Sequence, residues 1–200
     1  MTRLKLCGLM RAADAEAVNA VRPELAGMIL SPGFRRSVTA ETAAEIRRAL
    51  DRLIPAVGVF VNAQIREITA FASRGIIQLV QLHGTEDDAY IWQLRRVCTL
   101  PIIKAFRIAS ADDLQKAERS DADLVLLDSG TGTGQTFEWS LLNGFPRPYF
   151  LAGGLTPENA AAAIEALHPY GVDVSSGIET DGQKDAEKIR RFAEIVRQSG

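Results

Sequence analysis

The chain has 200 residues, of which 46% are hydrophobic and 24% charged, and its formal net charge is −2. These are ordinary values for a globular protein and argue against a disordered chain. A near-neutral charge without a basic run makes nucleic acid a poor candidate partner. The two cysteines, Cys7 and Cys98, are too few for a disulfide framework or a metal cluster.

The first ten residues, MTRLKLCGLM, lack the apolar core of a signal peptide. No apolar run approaches the roughly 20 residues that a membrane-spanning helix needs. We therefore expect a cytoplasmic protein that does not use a membrane as its partner.

Short apolar runs alternate with segments of helical period along the whole chain. Segments 39–50 and 185–196 place apolar residues three and four apart and predict helices. Ser110 and Thr156 have the residue types and neighbours of helix N-caps, Thr156 with a proline after it. The apolar runs predict strands over Arg3–Cys7, Leu25–Leu30, Ile54–Val61, Ile76–His83, Pro101–Ile108, Ala122–Asp128, Pro148–Gly154 and Gly171–Gly177.

This order gives eight strand–helix units, repeating about every 25 residues, and predicts parallel strands joined by right-handed crossovers. Near-continuous runs of Val, Ile and Leu are typical of strands that are covered on both faces. Eight such units close into an α/β protein of the (β/α)8 TIM barrel type, with an open doubly wound sheet as the alternative. No linker interrupts the series, so we expect residues 1–200 to form a single catalytic domain.

In a barrel the functional site lies at the carboxyl ends of the strands, and the loops after strands 7 and 8 commonly bind phosphate. Strand 7 runs into Gly153 and Gly154, and strand 8 runs into Ser176 and Gly177. Glycine has no Cβ, so its N–H can approach an anion closely. These four residues predict a phosphate site, and the alternative is that the glycines only turn the chain.

Two residues at other strand ends are candidates for proton transfer. Cys7 ends the first strand, where a thiolate near the barrel mouth could act as a base, although a lone cysteine is usually a small buried apolar residue. Asp128 ends the apolar run DLVLLD, where an ionised carboxylate is costly unless it has a partner or a function. Its alternative role is a cap for the following loop.

Two adjacent arginines, Arg35 and Arg36, follow the second strand and could bind a substrate carboxylate through a bidentate contact, or lie in a solvated loop. GTGTG at 130–134 lacks the spacing of a dinucleotide-binding loop and predicts a mobile loop beside Asp128. His168 is expected to be structural and Cys98 inert.

Several short motifs occur together in a recognisable order. They are KLCG at 5–8, SPGFRRSV at 31–38, GVFVN at 58–62, VQLHG at 80–84, LLDS at 126–129, GTGQTFEW at 132–139, LAGGLTPENA at 151–160 and GVDVSSGIE at 171–179. With these motifs the chain resembles the phosphoribosylanthranilate isomerase family of tryptophan biosynthesis over essentially its whole length.

The resemblance implies an Amadori rearrangement of N-(5-phosphoribosyl)anthranilate, the third step of tryptophan synthesis from chorismate, without a metal or an organic cofactor. Cys7 then corresponds to the general base, Asp128 to the general acid and Arg36 to the anchor of the anthranilate carboxylate. The phosphate cradle corresponds to Gly153, Gly154, Ser176 and Gly177. The partner is a small phosphosugar, and a monomer is expected rather than a homodimer.

The chain departs from the family pattern in the segment between Asp128 and GTGQTFEW, which is shorter than in many relatives. Arg35 competes with Arg36 for the anchor position, and His83 matches the family motif without an assigned role. The alternatives are another phosphosugar isomerase of the histidine and tryptophan pathways, indole-glycerol-phosphate synthase, or a barrel that binds phosphate without catalysis.

Overall fold

A computed structural model describes residues 1–128 and 139–200. Its main feature is a closed barrel of eight parallel strands in sequence order. The strands are β1 Arg3–Cys7, β2 Leu25–Ile29, β3 Ala56–Phe60, β4 Leu79–Leu82, β5 Ile102–Arg107, β6 Leu124–Asp128, β7 Tyr149–Ala152 and β8 Gly171–Val174. All eight predicted strands are present, the barrel closes through the pairing of β1 with β8, and the open sheet is excluded.

Seven α-helices occur in the described part of the chain. They are α1 Asp14–Val21, α2 Ala40–Ala49, α3 Ile65–Ser73, α4 Asp88–Arg95, α5 Ala111–Arg119, α6 Ala160–Leu167 and α7 Ala186–Ser199. Between β6 and β7, the described residues 139–148 contain a 3₁₀ helix, Trp139–Leu142, in place of the eighth α-helix that the unit count predicted. The predicted loop at 130–134 and the shortened segment after Asp128 lie outside the described residues.

Of the two N-caps predicted from the sequence, Ser110 lies at the start of its helix and Thr156 lies before the start of its helix. Ser110 caps α5 by accepting a hydrogen bond from the backbone N–H of Asp113, as predicted. Thr156 accepts one from the N–H of Glu158 at 3.2 Å, but α6 begins only at Ala160. Residues 156–159 form a turn closed by the Asn159 side chain, which accepts from Thr156 N and donates to Gly154 O. The predicted cap is therefore displaced from the regular helix by one turn.

Alternation along the strands produces two apolar layers. One set of buried side chains packs between the barrel and its helices, with fully buried Leu6, Met28, Phe60 and Leu82 among them. A second and smaller set of buried side chains fills the interior of the barrel. Its members come from the strands and include Val57, Ile103, Leu126 and Phe150. Toward the carboxyl ends of the strands, the inward-facing positions include the polar residues Gln81, Asp128 and Asp173, which places the chemistry at that end of the barrel.

Several predicted site residues lie just beyond the strands. β4, β7 and β8 end at Leu82, Ala152 and Val174, so His83, Gly153 and Ser176 belong to the loops that follow. None of the helices in the ranges 1–128 and 139–200 has the length and apolar character required to cross a membrane.

Candidate active site

A cavity of about 250 Å³ opens at the carboxyl ends of the strands. Its walls contain six of the seven residues that the sequence nominates; the seventh, Gly177, is not among the lining residues. The lining residues are Cys7, Ile29, Arg36, Val59, Gln81, His83, Asp128, Ala152, Gly153, Gly154, Leu155, Asp173, Ser175 and Ser176. One cavity thus brings together residues from both halves of the chain.

Cys7 lies at the end of β1, and its side chain occupies space that a glycine on the neighbouring strand leaves open. A Cβ on Gly27, which is paired with Cys7 across β1 and β2, would lie 2.7 Å from Cys7 Sγ. Burial raises the pKa of the Cys7 thiol above its ordinary value, while the positive charges of Lys5 and Lys184 oppose that rise. The thiol is therefore protonated near neutral pH, and the two lysines are the groups that favour its thiolate.

Lys5 is fully buried two residues before Cys7, on the same face of β1. Its Nζ donates a hydrogen bond of 2.8 Å to Asp173 Oδ1 on β8. Burial alone would lower the pKa of Lys5, but Asp173 and the nearby Cys7 outweigh it and raise the pKa above its ordinary value. Lys5 therefore stays charged beside the thiol, and Asp173 compensates the buried charge.

Arg36 comes from the loop after β2 and lies over the end of β1. Its Nε donates to Glu179 Oε1 at 2.6 Å and its Nη2 to Glu179 Oε2 at 3.2 Å. A Cβ on Gly8 would lie 2.6 Å from Arg36 Cδ, so the glycine makes room for the arginine stem. Arg35 bonds to the same carboxylate and to Gly182 O but is half exposed and does not line the cavity.

Lys184 is a third cation that binds the Glu179 carboxylate. Its Nζ donates to Glu179 Oε1 at 3.0 Å and to Ser175 O at 2.8 Å. Burial lowers the pKa of Lys184, against the opposing effect of Glu179. Burial would raise the pKa of Glu179, but its bonds with Arg36, Lys184 and Arg35 hold that pKa down at about 2. Glu179 is therefore ionised at any physiological pH.

Asp128 lies at the end of β6 and contacts His83 from the loop after β4. His83 Nε2 is 3.3 Å from Asp128 Oδ2, and its Nδ1 is 2.9 Å from the amide nitrogen of Gln81. With the amide oriented in this way, Nδ1 accepts from Gln81 and Nε2–H donates to Asp128. Gln81 is fully buried, and its Oε1 has no hydrogen-bond partner among the described residues.

The loops after β7 and β8 meet on the remaining side of the cavity. Gly153 and Gly154 have φ angles of 94° and 66°, which favour glycine. Gly177 lies in a 3₁₀ turn, Ser176–Ile178, and a Cβ there would lie 1.9 Å from Leu155 O. Gly177 is therefore required for the close packing of the two loops, whereas Gly153, Gly154 and Ser176 face the cavity.

Several polar residues of this site were not singled out from the sequence. They include Lys5, Gln81, Asp173, Glu179 and Lys184. Lys5 and Asp173 stand two positions before Cys7 and Ser175, so strand alternation could have placed them on the inner face. Gln81 bears the same relation to His83. Glu179 and Lys184 follow β8 with no such periodic signal. Among residues 1–128 and 139–200, no cluster of three or more His, Cys, Asp or Glu side chains could hold a metal ion.

Comparison with known proteins assigns this site to a family. The family model of N-(5′-phosphoribosyl)anthranilate (PRA) isomerase matches residues 4–195. The chain belongs to this family. A PRA isomerase of Lactiplantibacillus plantarum is 44% identical over 100% of this chain and 94% of its own length. One from Endomicrobium trichonymphae is 42% identical over 98% of this chain and 99% of its own length.

Solved structures of PRA isomerases have the same fold. The enzyme from Thermotoga maritima is 32% identical and superposes with a TM-score of 0.90, covering 99% of this chain and 100% of its own. A second PRA isomerase structure, in complex with reduced 1-(o-carboxyphenylamino)-1-deoxyribulose 5-phosphate, is 32% identical with a TM-score of 0.88 and the same coverage. The chain is accordingly an isomerase of tryptophan biosynthesis with the TIM barrel fold of its family.

Proposed function

We propose that this PRA isomerase converts N-(5-phosphoribosyl)anthranilate into 1-(2-carboxyphenylamino)-1-deoxyribulose 5-phosphate by an Amadori rearrangement. The observation that carries the proposal is one cavity lined by a thiol, a carboxyl group, an arginine and two glycine- or serine-bearing loops. Each end of such a substrate is anionic, and its reacting carbons lie between the two ends. The cavity offers anion-binding groups on separate walls, with acid–base groups between them.

The phosphate is assigned to the loops after β7 and β8. Gly153, Gly154 and Ser176 line the cavity there, and the left-handed conformation of the glycines exposes backbone N–H groups as donors. Gly177 supports this cradle by letting the β8 loop approach Leu155 O. A crystal grown with sulfate or phosphate should hold the anion against these backbone nitrogens; an anion at the β2 loop instead would contradict the assignment.

The anthranilate carboxylate is assigned to Arg36. Glu179 occupies the edge of the guanidinium formed by Nε and Nη2. The other edge, formed by Nη1 and Nη2, can therefore form a bidentate contact with a substrate carboxylate. Arg35 is directed to Gly182 and Glu179 and lies outside the cavity lining, which supports Arg36 as the anchor.

The chemistry requires one proton donor and one proton acceptor. Asp128 donates a proton to the ring oxygen as the bond between C1′ and that oxygen breaks, giving an open-chain iminium. The thiolate of Cys7 then removes the C2′ proton, and the electron pair of that C–H bond moves toward nitrogen to give the enolamine. Protonation of C1′ and loss of the proton from the C2′ hydroxyl then convert the enolamine to the ketone. No redox partner enters the sequence, and acid and base each supply a familiar catalytic effect.

Three broader expectations accompany this function. We propose that residues 1–200 act as one catalytic domain, that the chain is a cytoplasmic monomer, and that it needs neither metal nor organic cofactor. The solved relatives include monomers generated from a dimeric PRA isomerase of Thermotoga maritima. Light scattering during size-exclusion chromatography measures the mass of this chain directly, and activity after chelator treatment tests the metal independence.

The decisive experiment adds purified protein to phosphoribosylanthranilate and follows the loss of substrate fluorescence. Rapid loss above the uncatalysed rate, abolished by Cys7→Ser and Asp128→Asn, is the expected result. If the protein binds the reduced product analogue but does not consume the substrate, the barrel is a binding protein and the catalytic proposal fails.

A further inference from the structure

The side chain of Glu179 is buried although the residue lies outside the eight strands of the barrel. It begins a short hairpin, Glu179–Thr180 paired with Gln183–Lys184, directly after the turn that follows β8. Only 6% of its side chain is exposed. Arg35, Arg36 and Lys184 all bind its carboxylate. A buried carboxylate with three cationic partners joins the β2 loop to the β8 hairpin.

The contact with Arg36 fixes the direction of the guanidinium plane. Because both Glu179 oxygens accept from the Nε and Nη2 edge, rotation about the last bonds of Arg36 would break two charged hydrogen bonds. The stem is confined from below, where Gly8 lies too close to Arg36 Cδ to carry a side chain of its own. Among residues 1–128 and 139–200, no group forms a hydrogen bond with Arg36 Nη1, so the edge formed by Nη1 and Nη2 is available to a ligand and has one orientation.

The carboxylate is itself held in place. Lys184 binds Glu179 Oε1 at 3.0 Å while it also donates to Ser175 O at the end of β8. Lys188, on α7, donates to the backbone carbonyl of Glu179 at 2.7 Å. Glu179 is thus attached to the rigid barrel on one side and to Arg36 on the other.

We propose that Glu179 is a positioning residue that presents the free edge of Arg36 to the ring carboxylate of the substrate. This inference rests on the proposed function and deepens it. Glu179 does not line the cavity, so we expect it to make no contact with the reacting atoms. Its effect reaches the substrate through Arg36, so it should govern recognition of the carboxylate rather than the proton-transfer steps.

The competing interpretation is that Glu179 sequesters Arg36 and must be displaced by the substrate. The two interpretations predict opposite signs for Glu179→Gln. If Glu179 positions Arg36, the neutral amide can accept only one of the two hydrogen bonds and binding weakens. If Glu179 competes, removing its charge frees Arg36 and binding tightens.

The test measures the dissociation constant of reduced 1-(o-carboxyphenylamino)-1-deoxyribulose 5-phosphate by calorimetry, together with kcat and KM for phosphoribosylanthranilate. For Glu179→Gln we expect the dissociation constant and KM to rise about tenfold, from the loss of a charged hydrogen bond, with kcat nearly unchanged. An unchanged or lower dissociation constant would overturn the proposal. A fall in kcat at constant KM would also overturn it.

A double-mutant cycle shows whether the effect passes through Arg36. In an Arg36→Met background, Glu179→Gln should have almost no further effect on binding; an undiminished effect would place its action at Lys184 and the phosphate loops and refute the proposal. Arg35→Met is the matched control, because Arg35 binds the same carboxylate outside the cavity, and binding should change less than about twofold. If Glu179→Gln does not fold, Glu179→Asp keeps the charge, but its side chain is one methylene shorter and its carboxylate cannot reach Arg36 in the same position, so the dissociation constant should also rise.

The readouts separate this inference from the proposed function. If the wild-type chain neither binds the reduced analogue nor consumes the substrate, the proposed function fails. If the wild type does both and Glu179→Gln matches it, only the role of Glu179 fails.

Discussion

The two sides of the cavity are built differently. On the side of β1, the β2 loop and β8, charged groups pair at short distances: Lys5 with Asp173 at 2.8 Å, and Glu179 with Arg36 at 2.6 Å. On the side of β4 and β6, hydrogen bonds run from Gln81 through His83 to Asp128, and the distance between His83 Nε2 and Asp128 Oδ2 is 3.3 Å. The side chains of His83 and Asp128 are 36% and 24% exposed.

This difference matches the tasks that the two sides would have. Binding of anionic groups benefits from charges whose orientation is fixed before the substrate arrives, because the ordering cost is then already met. Proton transfer instead requires a group that can exist in two protonation states. On the β4–β6 side, Asp128 contacts the imidazole of His83, is partly exposed, and is the group that would transfer the proton. The anion-binding groups of the charged side should therefore control binding, whereas turnover should depend on the β4–β6 side together with the thiol of Cys7 at the end of β1.

The largest expected effect comes from Asp128→Asn, which replaces the carboxyl group on the β4–β6 side by an amide. The amide keeps the shape but cannot donate a proton to the ring oxygen, so kcat should fall by about 1,000-fold, within the usual range for general acids. KM should stay within about threefold, because no anion-binding group changes. Steady-state kinetics measures both quantities. A rise in KM with kcat preserved would show that Asp128 binds the substrate instead.

Cys7→Ser removes the proposed base from the charged side. A hydroxyl is far less acidic than a thiol, so kcat should fall by about 100-fold or more, while Cys98→Ser should be harmless. Burial raises the pKa of Cys7, so most of the thiol is protonated at neutral pH. The fraction of active thiolate therefore increases as the pH rises. The kcat/KM of the wild type should accordingly increase between about pH 7 and pH 9. A flat profile over that interval would argue against Cys7 as the base.

Arg36→Met tests recognition on the charged side. Loss of a charge-assisted bidentate contact costs roughly 2–3 kcal/mol. This loss lowers kcat/KM by about 30- to 150-fold. A substrate analogue without the ring carboxylate sharpens the test, because wild type should bind it weakly while Arg36→Met should hardly distinguish it from the substrate. Equal discrimination by both proteins would make Arg35 the next candidate.

The barrel could be predicted from the sequence because its cause is local. Each strand is a short run of mostly apolar residues, and Cys7 and Asp128 each end such a run. Alternation along the strands divides the remaining side chains between the two core layers. The connection after β6 could not be predicted in the same way. Its described part forms a 3₁₀ helix, where counting strand–helix units expected an α-helix.

The ion pairs of the site could not be predicted because their causes are distant in the chain. Arg36 and Glu179 are 143 residues apart, and Lys5 and Asp173 are 168 apart. Only closure of the barrel between β1 and β8 brings them together. The choice between Arg35 and Arg36 is of the same kind, since two adjacent arginines look equivalent until the loop directs one of them into the cavity.

A smaller effect is expected from His83→Asn. The imidazole contacts Asp128 but does not carry the reaction, so its loss should lower kcat about tenfold with KM nearly unchanged, in the range of a lost charged hydrogen bond. Gln81→Met should lower kcat in the same direction by a smaller factor, because it removes the contact to Nδ1. His168→Asn is the control, since His168 ends α6 and does not line the cavity. If His83→Asn raises KM alone, the imidazole belongs to substrate binding, and the division between the two sides is wrong.

The smallest expected effect concerns stability at low pH. The pKa of Glu179 is about 2 in the folded protein, against about 4.3 for an ordinary glutamate in an unfolded chain. A depressed carboxyl pKa stabilises the fold above the unfolded-state value, and this contribution is lost as the pH falls from about 4.5 toward 2. At neutral pH the melting temperature of the wild type should therefore exceed that of Glu179→Gln, by about 2–4 °C for each kcal/mol of stability that the charge contributes. The difference between the two melting temperatures should disappear in acid.

Glu158→Gln is the matched control. The pKa of Glu158 is also lowered, but Glu158 is exposed and pairs with exposed Arg191, so its removal should leave the melting temperature nearly unchanged. Thermal melts at several pH values measure this gap, and a gap that does not depend on pH would mean that Glu179 stabilises the fold by packing rather than by its charge.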